Sequence, residues 1–330
     1  AIFSGEPCSQ ESPSFLLTNP PRNVPRSHSE LPIKVQKTFI QGIFYMPIFA
    51  NVAWAHHPIR ETLSTHSYGQ NLGDYLLWDW RLDVCIILLI GSLVYTLGWL
   101  RLRRQGHLRL ASRKRLVFYQ SGLLSITVAL ISPIDALVDV LFFVHMLQHE
   151  LLIFLIPPLL LAGQPLLFCL WGLPASLRLK LGGMFAFRHP IRRTLTFLTT
   201  PIVAFLVSVF VLWGWHHPIA YNLALKNELA HDLEHLSFFL AFLLYWWTLI
   251  GSPPQRSRLL TNVKRGFYLV VSAIQTALLG GLITFANDVL YPHYLTIPRI
   301  VNWAVLTDQQ FGGAIMWLPG PIIYGLAALL

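Results

Sequence analysis

The chain has 330 residues, 54% of them hydrophobic and only 12% charged, with a net charge of +9. Its mean hydropathy is +0.54. Soluble domains carry about 25% charged residues, so this composition excludes a water-soluble enzyme and describes a protein of many membrane spans. The cationic excess sits in loops between apolar runs, where it bears on orientation in a bilayer and not on nucleic acid.

Residues 1–37 are rich in Pro and Ser and lack apolar periodicity, which reads as a disordered segment or extension. Lys34 and Lys37 then precede an apolar stretch, 38–55, that ends Ala53-Trp54-Ala55. A basic flank, a short apolar core and an A-x-A end predict a signal peptide, or an uncleaved signal anchor. Residues 56–82 are polar and aromatic, and Trp78 and Trp80 suit a membrane interface.

The remainder, 83–330, is expected to form an all-α membrane bundle of about seven transmembrane helices. Apolar runs near 83–100, 116–134, 141–162, 196–215, 232–250, 267–286 and 311–330 approach the ~20 residues that a span requires. A shorter run at 165–173 reads as interfacial. Pro157-Pro158 and Gly280-Gly281 mark kinks or close helix packing. Cys8, Cys85 and Cys169 stand alone, without C-x-x-C spacing, which argues against a thiolate metal relay.

Alternate loops are strongly basic. Arg101, Arg103, Arg104, Arg109, Arg113, Lys114 and Arg115 follow the first run. Arg178, Lys180, Arg188, Arg192 and Arg193 follow the third, and Arg256, Arg258, Lys264 and Arg265 the fifth. The opposite loops carry only Lys226 and Arg299. The positive-inside rule makes the basic loops cytoplasmic. The mature N-terminus is then outside, as a signal peptide requires, and the C-terminus is cytoplasmic. The expected location is the bacterial inner membrane.

That topology gathers the ligating side chains on the outer side. His145 and His149 enter the third run, and His231 and His235 enter the fifth. Residues four apart lie on one helix face, with β-carbons about 5–6 Å apart. His216 ends the run between them. Polar groups inside spans are costly and usually mark function, so these five histidines are the candidate metal ligands. Met146, His217, Glu234, His293, Asp308 and Met316 are candidate additional ligands or neighbours of the ligands.

Imidazole suits Zn, Cu, Fe and Ni, and a thioether from Met146 or Met316 tilts the set towards Cu(I). Neither His-Met-Leu-Gln-His nor His-Asp-Leu-Glu-His is the H-E-x-x-H of a zinc protease. Haem b is the alternative cofactor. Two histidines on one helix cannot clamp opposite faces of one iron, so haem would take one from each helix, as His149 with His235. A copper transporter is a further alternative, although span centres nearly free of charge speak against it.

Three blocks resemble one family. They are His145-Met146-Leu147-Gln148-His149 with Pro157-Pro158 and Gly163-Gln164-Pro165; Trp215-His216-His217-Pro218, Tyr221 and Leu225 with His231-Asp232-Leu233-Glu234-His235 and Trp246-Trp247; and Asp308-Gln309-Gln310, Gly313 and Met316-Trp317-Leu318-Pro319-Gly320. Together they resemble the CtaG family of membrane-embedded assembly factors for caa-type cytochrome c oxidases. The resemblance implies about seven spans and a non-enzymatic role in maturing a haem–copper oxidase. It also implies copper delivered at the periplasmic face, with oxidase subunits and periplasmic copper carriers as partners. By motif it carries the ligand role to His145, His149, His216, His231 and His235 and makes Asp308 an outer carboxylate. His217 falls at a position the family pattern leaves open.

Overall fold

The computed structural model describes residues 72–186, 188–252 and 260–329. The extension at 1–37, the signal-like stretch at 38–55 and most of the following segment lie outside the described residues. The described chain is helical throughout, with no strand among the described residues. Five helical segments are long and apolar enough to cross a membrane, and a sixth is added if one bent pair is a single span.

The first two spans contribute to one hydrophobic cluster, shared with the third span and the short helix after it. Helix α1 (Leu82–Arg104) and helix α2 (Arg113–Leu130) are joined by a basic turn, and Ser112 caps α2 by accepting from the Arg115 N–H. A short helix α3 (Pro133–Leu137) follows Ser132, whose hydroxyl accepts from the Ile134 N–H. Tyr95 stacks on Tyr119 at 3.8 Å between ring centres and donates to the Gly163 carbonyl at 2.7 Å. Isoleucines and leucines such as Ile87 and Leu89 are exposed on α1, where the surrounding solvent is lipid and not water.

The third span is the most enclosed. It runs as α4 (Phe142–Glu150), a π-helical turn (Leu151–Leu155) and α5 (Ile156–Ala162). The break follows from Pro157-Pro158. The Ile153 carbonyl expects an N–H from residue 157 in an α-helix, or from 158 in a π-helix, and proline supplies neither. Trp246 fills the gap, donating its indole N–H to Ile153 O at 2.9 Å. An orphaned carbonyl at membrane depth is costly. Trp246→Phe should therefore lower thermal stability in detergent by about 1–3 kcal/mol. Pro157→Ala, which returns one of the two N–H groups missing at this break, should recover part of that loss. No recovery in the double variant would place the cost in lost ring packing instead.

After Gly163, Gln164 takes a left-handed conformation at φ 53 and turns the chain into α6 (Pro165–Gly172). This is the short run expected at the interface. In the structure it packs into α1, with Gly98 and Gly172 each meeting the opposing backbone. Helices α7 (Ala175–Met184) and α8 (Pro190–Leu198) follow on the basic side. The sixth candidate span is α8 with α9 (Pro201–His216), bent by 71° between them.

Helix α10 (Pro218–Lys226) is short, and α11 (Glu228–Ile250) and α12 (Asn262–Thr284) are full spans. The C-terminal run expected to be a seventh span is two helices, α13 (Val305–Trp317) and α14 (Pro319–Leu329), parted at Pro319. Helix α13 crosses α12 closely through Gly280 and Gly313. A β-carbon on Gly280 would lie 2.7 Å from Trp317 N, and one on Gly313 would lie 2.6 Å from Thr284 N. Gly281 faces open space, so only one of the paired glycines serves the crossing.

Candidate metal centre

Two helices bring the ligating side chains together, each with a different device at its start. Helix α11 is capped by Asn227, whose Oδ1 accepts from the Ala230 N–H. Its buried face then reads His231, Glu234, His235, Phe238, Ala241, Phe242 and Tyr245, the spacing of one helical stripe. Helix α4 begins after Leu141, which cannot cap. Asp308 of α13 serves instead, accepting from the Phe142 N–H at 3.2 Å and the Phe143 N–H at 3.0 Å. Arg299 donates to the same carboxylate at 2.9 Å. Gln148 fixes the other side of α4 by donating to Ala129 O and to Asp135.

His145, His231, Glu234 and His235 form one group, each offering a ligand atom, and those atoms all lie within 4.8 Å of one another. All four are buried, with His145 and Glu234 at 0% exposure. His231 Nε2 lies 3.3 Å from His145 Nε2. Ring centres are 5.1 Å apart for His145 and His231, 4.2 Å for His231 and His235, and 5.9 Å for His145 and His235. A metal bound at about 2.0–2.1 Å from nitrogen sits roughly 3 Å from the ring centre, so rings sharing one ion lie within about 6 Å. The observed separations fit a single ion. The donor set, three imidazoles and a carboxylate, suits Zn or Cu.

His149 and His216 flank this group. The His149 ring is 4.4 Å from His145, 5.5 Å from His235 and 5.7 Å from His216. Phe238 closes beneath His149 and His216 at 4.6 Å and 5.8 Å. Neither nitrogen of His149, nor Nε2 of His216, has a hydrogen-bond partner among the described residues. The same holds for both oxygens of Glu234. Buried polar atoms are almost always paired, so this concentration of open donors is itself a ligand signal.

Hydrogen bonds determine which nitrogens carry lone pairs. Tyr294 O–H donates to the Val138 carbonyl at 3.1 Å, which spends its only proton. The 3.0 Å bond between Tyr221 and Tyr294 is therefore donated by Tyr221. Tyr221 must then accept at 2.7 Å from Nδ1–H of His145, leaving Nε2 of His145 as the lone-pair nitrogen facing the group. Burial pushes the hydroxyls of Tyr221 and Tyr294 well above the usual phenol range, so both remain protonated. His216 follows the same logic, with Nδ1–H donating to Leu212 O at 2.7 Å. These tyrosines escape sequence reasoning, although Tyr221 lies in the second motif block. Tyr221→Phe should weaken metal affinity about 10–100-fold, as loss of a ligand-orienting partner does. Unchanged affinity, measured by competition with a chelator, would remove Tyr221 from this role.

The other expected residues lie elsewhere. Met146 is buried against Phe142 and Gly312, and Met316 lies in the same hydrophobic core. His217 is exposed, and its Nδ1 accepts from the Ile219 N–H at the start of α10. His293 is half-buried edge-on to Tyr294 at 5.6 Å, and its N–H donates to Asn222. Burial lowers the His293 imidazole below its ordinary value, partly offset by Asp139. Asp308 is occupied with two backbone N–H groups and Arg299. Gln309 and Gln310 beside it tie α13 to the 286–290 loop through Leu290, Asp288 and Ala286.

Fold and site together define a multi-span helical membrane protein with a buried histidine–carboxylate centre shared by two spans. The profile of the cytochrome c oxidase caa3 assembly factor family (Caa3_CtaG) matches residues 93–330, and the chain belongs to that family. It is 26% identical over 264 residues to the uncharacterized protein Mb0105 of Mycobacterium bovis, covering 77% of this chain and 39% of that protein. It is 24% identical over 271 residues to the uncharacterized protein ML1998 of Mycobacterium leprae, covering 76% and 39%. The chain thus spans about two fifths of the length of these relatives. No solved structure matches it.

Proposed function

We propose that this protein takes part in assembling a haem–copper cytochrome c oxidase by holding a copper ion for transfer at the outer face of the membrane. One observation carries the reading. His145 on α4 and His231, Glu234 and His235 on α11 offer four ligand atoms within 4.8 Å, all buried. Membership of the oxidase assembly family supplies the client. The concentration of Arg and Lys in the loops opposite to the histidine side supports an outer location. Copper is cargo in this reading, received from a periplasmic carrier and passed to an oxidase subunit.

A bare ion suits this geometry better than haem. The five histidine rings and Glu234 abut one another, with neighbouring ring centres at 4.2–5.9 Å. A flat macrocycle between any two would displace the rest. The exit route is short, because His231 lies in the first turn of α11 and is 5% exposed.

Purified protein should take up Cu(I) under anaerobic conditions and show no stoichiometric Soret band. A Soret band at one haem per chain, with no copper uptake, would replace this reading with an electron-transfer subunit.

A further inference from the structure

Glu234 stands between two sets of histidines. Its Oε2 is 3.8 Å from His145 Nε2, and its Oε1 is 3.8 Å from His149 Nε2. Both distances exceed a hydrogen bond. Neither oxygen has a hydrogen-bond partner among the described residues, and the carboxylate is 0% exposed. A buried carboxylate left unpaired is costly. One with a separate imidazole nitrogen facing each oxygen is arranged to sit between two cations.

The second set is complete enough to act. His149 lies one helical turn beyond His145 on α4, and His216 comes from the end of α9. Their ring centres are 5.7 Å apart, within the ~6 Å over which two rings can share an ion. The tautomer of His216 is fixed by Leu212, so its Nε2 holds a lone pair, and that nitrogen is buried with no hydrogen-bond partner among the described residues. Both nitrogens of His149 are in the same condition. The four-residue group that gathers around His145 does not include either of them.

We infer that the centre holds two metal positions bridged by Glu234: one at His145, His231 and His235, and a second, lower-coordinate one at His149 and His216. The inference rests on the copper-holding reading above and extends it to a second ion. Neutral imidazoles add no charge, so the first Cu(I) neutralises Glu234. The second then enters a cavity already balanced and repels the first. Like charges a few ångströms apart in a buried site are worth more than a factor of ten. The second position therefore binds more weakly, which is the property a transfer position needs. An ion can move between the two by exchanging one oxygen of Glu234 for the other.

The test is anaerobic Cu(I) titration of the full chain in detergent against a competing chelator, with metal analysis and X-ray absorption after one and two equivalents. Two ions per chain are expected, the second more than about tenfold weaker. The spectrum should shift to lower mean coordination as the second enters. His149→Ala and His216→Ala should each remove the weak step and leave the tight one, whereas His231→Ala should weaken the tight step. Thermal melts would establish that each variant folds, and the wild-type spectra decide even where one does not. A single ion whose affinity ignores both substitutions overturns the second position and leaves the copper-holding reading intact. A single ion lost in either variant overturns it too, because all five histidines then serve one site. No bound copper at all overturns the copper-holding reading and this inference with it.

Discussion

Replacing His145 and His231 together with alanine should weaken Cu(I) binding at the tight position by more than about a hundredfold, beyond the range typical of ligand-supporting residues. These two side chains join the helices. Their Nε2 atoms are 3.3 Å apart across a sequence gap of 86 residues. Without them, the tight position keeps only His235 and Glu234, adjacent on α11, with the His149 ring flanking them at 5.5 Å from that of His235. The folded protein should survive, since α4 remains held by Asp308 and Gln148 and α11 by its Asn227 cap. In cells, oxidase activity and oxidase copper content should fall while the variant stays in the membrane at normal level. Normal copper loading of the purified double variant would sink the site assignment.

The centre's outline was legible because helix periodicity maps sequence spacing onto space. Two i,i+4 histidine pairs predict two ligand faces, and the alternation of basic loops with loops poor in Lys and Arg brings both pairs to one end. The structure joins those ends directly, with His145 Nε2 3.3 Å from His231 Nε2. What spacing cannot carry is the role of a side chain whose partner lies far along the chain. Glu234 reads from sequence as an additional ligand or a neighbour of the ligands. Only the fold places it between His145 and His149. Tyr221 reads as one letter of a motif, and its effect on His145 depends on a chain of bonds ending at Val138. Trp246 likewise gains meaning only from two prolines on another span. Hydropathy treats 311–330 as one run, and the structure shows it as two helices parted at Pro319, which cannot donate an N–H.

Asp308 illustrates the same limit, and its substitution is the second large effect expected. The family resemblance offers it as an outer carboxylate near the metal. In the structure it is fully buried, and its oxygens accept from two N–H groups at the start of α4 and from Arg299. Asp308→Ala would orphan both N–H groups and leave Arg299, 20% exposed, without this partner. Breaking a buried pair from one side costs about 3–5 kcal/mol, with the partial exposure of Arg299 placing the loss towards the lower figure. Helix α4 would fray from its first turn, which is the turn that carries His145. Copper affinity should therefore fall together with stability. Asp308→Asn keeps an acceptor for one N–H and should retain more of both. A variant that loses copper at unchanged melting temperature would instead make Asp308 a ligand. Coupled losses, graded from Asn to Ala, identify it as the anchor that sets where the third span begins, and through that the position of His145.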